Sequence, residues 1–316
     1  MTTNPAAAIV VGVDGSPQSL SAVDWAAREA AARGCRLRIV HAFLWPLMGV
    51  PLGPPVMGPP DAGLQQAADK LLSTAADRAR QTAPNLDITT DMPVCAPAAA
   101  LIDASRDAAL VVVGQRGLGG FTGLLVGSVG VQTAAHAACP VIVVRGSHDD
   151  LRAPGPAAGQ VVVGVDGSDS SDLAVEFAFA HAALHGLSVV AVHAYQWGIG
   201  SYYDHRYQWP ARLLTEAVAG YRETYPDVPV QQKVVPGESA DVLVAESASA
   251  ALTVVGSRGR GGFTGLLLGS TSQHVLNHAS GTVAIVRARA TRGGTATRTG
   301  LGMSDAPEPS QAATWR

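Results

Sequence analysis

Short, continuously apolar runs rich in β-branched residues recur along the chain, and each is followed by a longer segment of mixed polarity. The first run, Ile9 to Val13, has the composition and length of a strand buried on both faces. Ser16 and Pro17 then provide an N-cap and a proline in the first helical turn, and Gly34 provides a C-terminal stop. The pattern therefore predicts a buried strand that leads into a helix ending at Gly34.

The same alternation continues through the first half of the chain. It predicts further strands at 36–41, 87–93, 110–113 and 141–144, and further helices at 64–80, at 98–105 and from 128 onward. Strands separated by helices imply right-handed crossovers and a parallel sheet. We therefore predict a doubly wound α/β domain.

The second half of the chain repeats the sequence of the first. The matched segments are 9–16 with 161–168, 40–42 with 192–194, 112–117 with 254–259, and 139–145 with 281–287. The offset is 152 for the first two pairs (161 − 9) and 142 for the others (254 − 112). The first copy therefore carries ten extra residues (152 − 142), which we place between Pro46 and Pro60.

Changes of composition mark the boundaries of the two copies. Residues 147–159 are polar and rich in Pro, Ala and Gly, as expected of a linker. Residues 289–316 lack hydrophobic periodicity, which predicts a disordered tail. The predicted domains are therefore 6–146 and 160–288.

Composition and charge argue against several classes of protein. The net charge of −3 and the absence of a Lys/Arg-rich run disfavour a nucleic-acid or anionic-membrane surface. Cys35, Cys95 and Cys139 are too widely spaced for a metal set or a disulfide framework, which indicates a reducing compartment. The sequence shows neither a secretory signal nor an apolar run of the roughly 20 residues that a membrane span needs. We predict a soluble, cytoplasmic protein with no nucleic-acid and no membrane partner.

A glycine-rich loop follows the predicted fourth strand in each copy. Gly114-Gln-Arg-Gly117 is followed by nine residues and then by Gly127-Ser128, and the second copy has the same spacing from Gly256 to Ser270. Glycines let the backbone approach an anion, and the next helix adds unsatisfied N–H groups and the positive end of its dipole. The loops are therefore predicted to bind phosphate. The alternative is a flexible surface loop whose glycines only permit tight strand–helix packing.

Other side chains near the loops refine this prediction. The hydroxyl groups of the following helices can donate to phosphate, whereas Arg116 and Arg258 face either phosphate or solvent. Neither of the two lysines, Lys70 and Lys233, lies in a glycine-rich stretch, which excludes a Walker-type lysine. The hydroxyl groups belong to Ser128, Ser270, Thr271 and Ser272.

These features resemble the ATP-binding branch of the universal stress protein family. The resemblance rests on the Val-Gly-Val-Asp-Gly-Ser opening, the Val-His-Ala end of the second strand, the Gly-x2-Gly-x9-Gly-Ser loop and the closing Pro-Val-Ile-Val-Val strand. It covers both copies, so the chain looks like a tandem member. The resemblance implies two tandem Rossmann-like domains of the adenine nucleotide alpha hydrolase-like type. Each is then a five-stranded parallel sheet in the order 3-2-1-4-5 with helices on both faces.

That strand order implies where a ligand binds. Ligands of open parallel sheets bind beyond the strand ends at the point where the order reverses, here between strands one and four. Asp14 and Asp166, which end the first strands, are therefore expected to meet the glycine loops. The alternative for each is an aspartate that only stabilises a turn before glycine. The implied cofactor is ATP, with Mg²⁺ held through its phosphates.

The resemblance implies the same layout of ATP-binding residues in both domains. Adenine is expected beside the end of the first strand and Ala42 or Ala194, and ribose and phosphates along the loop and the following helix. The set in the first domain is Gly12, Asp14, Ala42, Gly114, Gln115, Arg116, Gly117, Leu118, Gly119, Gly120, Gly127, Ser128 and Val129. The set in the second domain is Gly164, Asp166, Ala194, Gly256, Ser257, Arg258, Gly259, Arg260, Gly261, Gly262, Gly269, Ser270, Thr271 and Ser272.

The two copies depart from each other at three positions that bear on the site. The glycine that commonly leads into the third helix in this family is met by Gly237 but replaced by Cys95 in the first copy. Gln115 and Leu118 make the first loop less polar than the second. We therefore expect the second site to bind more tightly.

Three classes of function remain open. The first is a regulatory protein of stress or growth adaptation that signals by its ATP occupancy. The second is a slow ATPase or a phosphotransferase, although no catalytic base and no carboxylate pair for Mg²⁺ accompanies the loops. The third is a nucleotide-free dimerising module. His41 and His193 are more consistent with core or site-lining residues than with metal ligands, and no metal site is predicted. The resemblance also implies a homo-oligomer: an internal pseudo-dimer joined through the last strands, with chains that dimerise again.

Overall fold

A computed structural model describes residues 7–43, 62–117, 126–146, 159–196, 208–260 and 267–287. The predicted tail, and the predicted linker apart from Gly159, lie outside these residues. The boundaries predicted for the first copy agree with the structure to within two residues for every strand and helix.

The first half alternates strands and helices. Its strands are β1 (Ala8–Gly12), β2 (Leu37–Val40), β3 (Ile88–Asp91), β4 (Ala108–Gly114) and β5 (Val141–Val144). Its helices among the described residues are α1 (Pro17–Arg33), α2 (Ala62–Thr82), α3 (Pro97–Ala104) and α4 (Ser128–His136).

The second half has the same order of elements. Its strands are β6 (Gln160–Gly164), β7 (Ser188–Tyr195), β8 (Val230–Pro236), β9 (Leu252–Gly256) and β10 (Val283–Val286). Its helices in the described ranges are α5 (Asp169–His185), α6 (Gln208–Thr224), α7 (Ser239–Ser247) and α8 (Ser270–His278).

All ten strands form one continuous sheet in the order β3-β2-β1-β4-β5-β10-β9-β6-β7-β8. Within each half the strands are parallel and follow the predicted order 3-2-1-4-5, which confirms the predicted fold. The halves meet where β5 pairs antiparallel with β10, and Ile142 lies opposite Ala284. The expectation that the halves join through their last strands is therefore confirmed.

The ends of α1 and α5 follow from local sequence. The Ser16 hydroxyl accepts a hydrogen bond from the Ser19 amide at 3.2 Å, and the Ser168 hydroxyl accepts from the Ser171 amide at 3.3 Å. Each helix ends at a glycine with a positive φ, 63° at Gly34 and 65° at Gly186, where other residues would be strained.

The core lies on both faces of the sheet because the strands are apolar on both sides. Ile9 and Val11 belong to the buried cluster that α1, α2, α5 and α6 cover, whereas Val10 belongs to the cluster that α3, α4, α7 and α8 cover. Burial on both faces explains the continuous apolar runs, which a half-exposed sheet would not need.

Two arginines bind the helices of one half to the last strand of the other. Arg145, directly after β5, donates through Nη1 to the carbonyl of Ala279 at 2.7 Å and through Nη2 to that of Leu276, at the C-terminal end of α8. Arg287, directly after β10, donates to the carbonyl of Ala134 in α4 at 2.9 Å. The last carbonyls of a helix lack partners within the helix, so each arginine caps a helix of the opposite half.

A second contact between the halves lies where α1 passes α5. The Glu29 side chain is 2% exposed and accepts hydrogen bonds from Arg33, His181 and His185. Burial by itself would raise the pKa of Glu29, but hydrogen bonds from the two histidines, with a smaller effect of the Arg33 charge, hold it well below its ordinary value. The carboxylate therefore stays ionised between the halves.

Replacement of Glu29 by Gln is expected to lower the free energy of unfolding by about 3 kcal/mol at neutral pH, because it leaves Arg33 without its buried partner. The folded-state pKa of Glu29 is depressed below 4.5, so its stabilising effect is present above that pH and is lost as the pH falls toward the folded-state value. The difference between wild type and variant should therefore shrink on acidification. Urea unfolding in metal-free buffer at about pH 7 and about pH 4 tests this. A difference that is the same at both would contradict it.

Candidate functional site

The aspartate after the first strand meets the glycine loop in both halves. Asp14 follows β1, the loop begins at the end of β4, and these strands are neighbours at the reversal of strand order. A Cβ atom on Gly117 would lie 2.2 Å from Oδ2 of Asp14, and one on Gly259 would lie 2.6 Å from Oδ2 of Asp166. Residues about a hundred positions apart in sequence therefore form one cleft at the carboxyl edge of the sheet.

The aspartate also stabilises the turn in which it lies, which was the alternative interpretation of its role. Oδ1 of Asp166 accepts from the Ser168 amide at 3.0 Å and from the Ser168 hydroxyl at 2.6 Å. Oδ2 of the same carboxylate accepts from the Arg260 amide at 3.2 Å. The side chain thus connects the turn after β6 to the loop after β9. Stabilisation of the turn and contact with the glycine loop are therefore compatible roles.

Each glycine loop is closed at its base by a backbone hydrogen bond. The Gly127 amide donates to the Gln115 carbonyl at 2.9 Å, and the Gly269 amide donates to the Ser257 carbonyl at 2.8 Å. These glycines are also the N-caps of α4 and α8, and they make no side-chain capping bond. Among the described residues no side chain caps these first turns, so the first amides of each helix can donate to a bound anion.

The hydroxyl groups predicted at the helix starts do not all have the same role. Ser272 is buried and donates through Oγ to the Gly256 carbonyl at 2.6 Å, which fixes the start of α8 to the end of β9. Thr271 lines the cleft beside it. Ser257 is buried, and its amide donates to the Val286 carbonyl at 2.7 Å.

The cleft of the second half brings many of the predicted residues together. Its cavity volume is about 90 Å³, which is small beside the roughly 300–1,000 Å³ of typical ligand pockets, so a nucleotide would extend beyond this cavity. Its predicted lining residues are Gly164, Asp166, Ala194, Gly256, Arg258, Gly259, Thr271 and Ser272. Gly261 and Gly262, and in the first half Leu118, Gly119 and Gly120, lie outside the described residues.

Several lining residues were not predicted from the sequence. They lie on α5 and α7, two helices that are not part of the glycine motif, and they are Ser171, Ser239 and Leu243. Leu243 packs so closely on the end of β6 that a Cβ on Gly164 would lie 2.9 Å from it, and Leu101 has the same relation to Gly12. The sequence signal that could have identified these two leucines is their offset of 142, which equals the offset between the glycine loops.

The histidines at the second strands contact the turns that follow the first strands. The Nδ1 atom of His41 lies 2.8 Å from the Val13 carbonyl, and that of His193 lies 2.7 Å from the Val165 carbonyl. A ring N–H donated to that carbonyl fixes the turn that carries the aspartate. His193 also lines the cleft of the second half, which agrees with its interpretation as a core or site-lining residue.

Positive charge accumulates where each loop meets the junction of the halves. Burial, and to a smaller extent the charge of Arg116, lowers the pKa of Arg145 to about 10. Burial and the charge of Arg258 likewise lower the pKa of Arg287. Two arginines near each loop provide a positive potential that favours an anionic ligand.

The fold and the site define a tandem, doubly wound α/β protein with a glycine loop at the reversal of strand order in each half. The model of the universal stress protein family matches residues 7–145 and 158–287. The chain therefore belongs to the universal stress protein family, as the resemblance predicted, and the family domain occurs twice.

Relatives of full length have the same tandem organisation. A universal stress protein of Mycolicibacterium smegmatis is 37% identical over 294 residues, covering 89% of this chain and 97% of the relative. One of Mycobacterium tuberculosis is 36% identical over 302 residues, covering 90% and 97%. The crystal structure of a universal stress protein from Archaeoglobus fulgidus, 20% identical, has a TM-score of 0.65 and covers 89% of this chain and 98% of its own, which supports the fold.

None of the helices in the described part of the chain is long and apolar enough to cross a membrane.

Proposed function

We propose that this protein is an ATP-binding regulator of stress or growth adaptation, with one nucleotide site in each half. The observation that carries the proposal is the meeting of Asp14 with the loop at Gly117, and of Asp166 with the loop at Gly259, at the reversal of strand order. The duplication strengthens it, because loops that served only for packing would have no need of the same spacing and the same aspartate in both halves.

The chemistry of the cleft suggests how ATP would lie. The apolar end, at Gly164, Ala194 and Leu243, suits the adenine ring. The loop and the start of α8 offer backbone amides and the positive end of a helix dipole to the phosphates. Mg²⁺ would be held through the phosphates and water, since this ion commonly keeps several of its waters.

We propose binding rather than turnover. Both carboxylate oxygens of Asp166 accept hydrogen bonds from its own turn and from the loop, so this group is a structural acceptor. A general base needs a free position within hydrogen-bonding reach of the proton that it removes. Cytoplasmic localisation and association of two chains stay predictions, and the solution mass of the protein tests the second.

The nucleotide content of the natively purified protein tests the proposal. We expect one or two ATP molecules per chain, released on denaturation and identified by chromatography and mass spectrometry. If the protein is isolated empty, calorimetric titration with ATP should show binding in the micromolar to millimolar range. The absence of adenine nucleotide, together with no binding at about millimolar ATP, would exclude the proposed function.

A further inference from the structure

Four side chains form a cluster at the contact of α1 with α5, which we call the junction cluster: Glu29, Arg33, His181 and His185. The repeat offset of 152 relates Glu29 to His181 and Arg33 to His185. The cluster therefore lies where the two copies face each other, and each copy contributes different chemistry at equivalent positions. It is separate from both nucleotide clefts, and nothing in the proposed function uses it.

The carboxylate and the two imidazole rings of the cluster lie close together. His181 and His185 are one helical turn apart, and their ring centroids are 4.4 Å from each other. The Glu29 carboxylate lies across from them, with Oε1 3.3 Å from Nδ1 of His181 and Oε2 2.7 Å from Nε2 of His185. One oxygen and two imidazole nitrogens thus lie within 4.8 Å of one another.

These three groups are a donor set for a transition-metal ion. One carboxylate and two imidazoles, with the two histidines on one helix, are typical of zinc sites that keep a fourth position for water. The carboxylate oxygens of Glu29 lie 3.3 Å and 2.7 Å from the two nitrogens. All three groups are therefore within reach of one ion.

The surroundings of the cluster favour a bound ion and leave it a path of entry. The side chains of Glu29 and His181 are 2% and 7% exposed, whereas that of His185 is 28% exposed. Trp25 and Phe177, which the repeat offset also relates to each other, stack beside the His181 ring with centroids 6.1 Å away. Apolar walls strengthen the attraction between an ion and its ligands, and the exposed edge of His185 faces solvent.

Arg33 is the one member that opposes an ion. Its Nε and Nη2 atoms lie 2.7 Å and 2.6 Å from Oε1 of Glu29. An ion bound at Oε2 would leave Oε1 to the guanidinium, which would then orient the ligating carboxylate from the second sphere. The positive charge of Arg33 still repels the ion, so its removal should strengthen binding.

We propose that Glu29, His181 and His185 bind Zn²⁺ and thereby link α1 to α5 across the junction of the two halves. One ion would cross-link residues from copies that are 152 positions apart, so its binding would stabilise the paired arrangement of the halves.

Titration of the metal-free, full-length chain with Zn²⁺ alone tests the proposal. Calorimetry should give one site, and His185→Gln should lower its Zn²⁺ affinity by more than about 100-fold. Loss of an outer-sphere partner costs at most about 100-fold, so a larger loss indicates a direct ligand. Arg33→Gln should bind about tenfold more tightly, because it removes the repelling charge. Co²⁺ in place of Zn²⁺ should give a visible absorption spectrum that His185→Gln abolishes. Unchanged Zn²⁺ affinity in His185→Gln would overturn the proposal.

The chain offers a matched control for non-specific chelation. His274 and His278 are also one turn apart, on the surface of α8, with centroids 4.2 Å from each other and Asp241 at 3.4 Å from His274. The double variant His274→Gln/His278→Gln should keep the junction site intact. If this variant loses Zn²⁺ binding while His185→Gln retains it, the ion binds at α8 and the proposal fails.

A second measurement separates loss of a ligand from loss of the fold. His185 is partly exposed, so His185→Gln should fold, and circular dichroism checks this. Zn²⁺ should raise the midpoint of thermal unfolding of the wild type and of the α8 variant, but not of His185→Gln. An equal rise in all three would also contradict the proposal. Nucleotide binding plays no part in these measurements, so the outcome does not depend on the proposed function.

Discussion

Alanine in place of Gly259 is expected to abolish nucleotide binding in the second half and to leave the fold intact. The new Cβ would lie 2.6 Å from Oδ2 of Asp166, so the carboxylate must turn away and lose the hydrogen bond from the Arg260 amide. The backbone of the loop would also lose its close approach to the phosphates. We expect affinity at that site to fall by at least about 100-fold, or about 2.7 kcal/mol. Gly117→Ala should do the same in the first half, where the corresponding distance is 2.2 Å.

The stability of the fold should change little, because the clash is with the end of one flexible side chain at an exposed loop. Gly220 provides the matched control, since it lies within α6 and a Cβ there would meet nothing within 4 Å. Gly220→Ala should keep both sites and stabilise the helix by roughly 0.5–1 kcal/mol.

Calorimetric titration with ATP gives the number of sites for each variant. Gly117→Ala and Gly259→Ala should each retain one site, and the double variant none. A double variant that binds like the wild type would show that the loops do not hold the nucleotide, even if the purified protein contains ATP. If only one of the two single variants changes ATP binding, the two halves are unequal. We then expect that variant to be Gly259→Ala, because the second site is predicted to bind more tightly.

The alternation of buried strands and helices was predictable because it depends on local patterns. Continuous apolar runs such as Ile9 to Val13 are typical of strands buried on both faces, as in a parallel sheet that is covered by helices. The repeat then gave the second domain, and the family resemblance gave the strand order 3-2-1-4-5. The encounter of Asp14 with the loop at Gly117 followed from that order alone.

Features that depend on packing between distant helices could not be predicted in this way. Leu243 reaches the cleft because Gly164 leaves room for it. The repeat offset relates Leu243 to Leu101 but does not reveal that either one contacts a glycine at the end of a strand.

The histidine pair of the junction cluster, His181 and His185, is four residues apart on one helix and is visible in the sequence. Its third ligand could not be predicted from spacing, because Glu29 and His181 come from different copies. The repeat offset relates these positions, but their closeness follows only from the antiparallel pairing of β5 with β10.

The Arg145→Ala variant is expected to destabilise the protein by about 3 kcal/mol. It removes both donors from the Ala279 and Leu276 carbonyls, and each buried acceptor left without a partner costs about 1–3 kcal/mol. It also leaves a cavity, because the side chain of Arg145 is buried at the junction. Burial of the positive charge offsets part of this contribution, as the lowered pKa of Arg145, about 10, indicates.

Urea unfolding compares this variant with three others. Arg145→Lys should fall between wild type and alanine, since a single ammonium group cannot reproduce the two-pronged contact with both carbonyls. Arg287→Ala should weaken the same junction from the opposite half, where the arginine donates to Ala134 and Leu267. Arg212→Ala is the surface control, because its ion pair with Glu216 is exposed and should leave the transition unchanged.

The decisive comparison is between the effects of Arg145 and Arg212. If both alanine variants unfold at the wild-type urea concentration, the contacts across the junction do not stabilise the paired halves. If Arg145→Ala alone shifts the transition and also lowers its slope, the halves have begun to unfold separately, because less surface is exposed in each step. The pairing of β5 with β10 would then depend on the arginine caps for its cooperativity, and not on its three matched residue pairs alone.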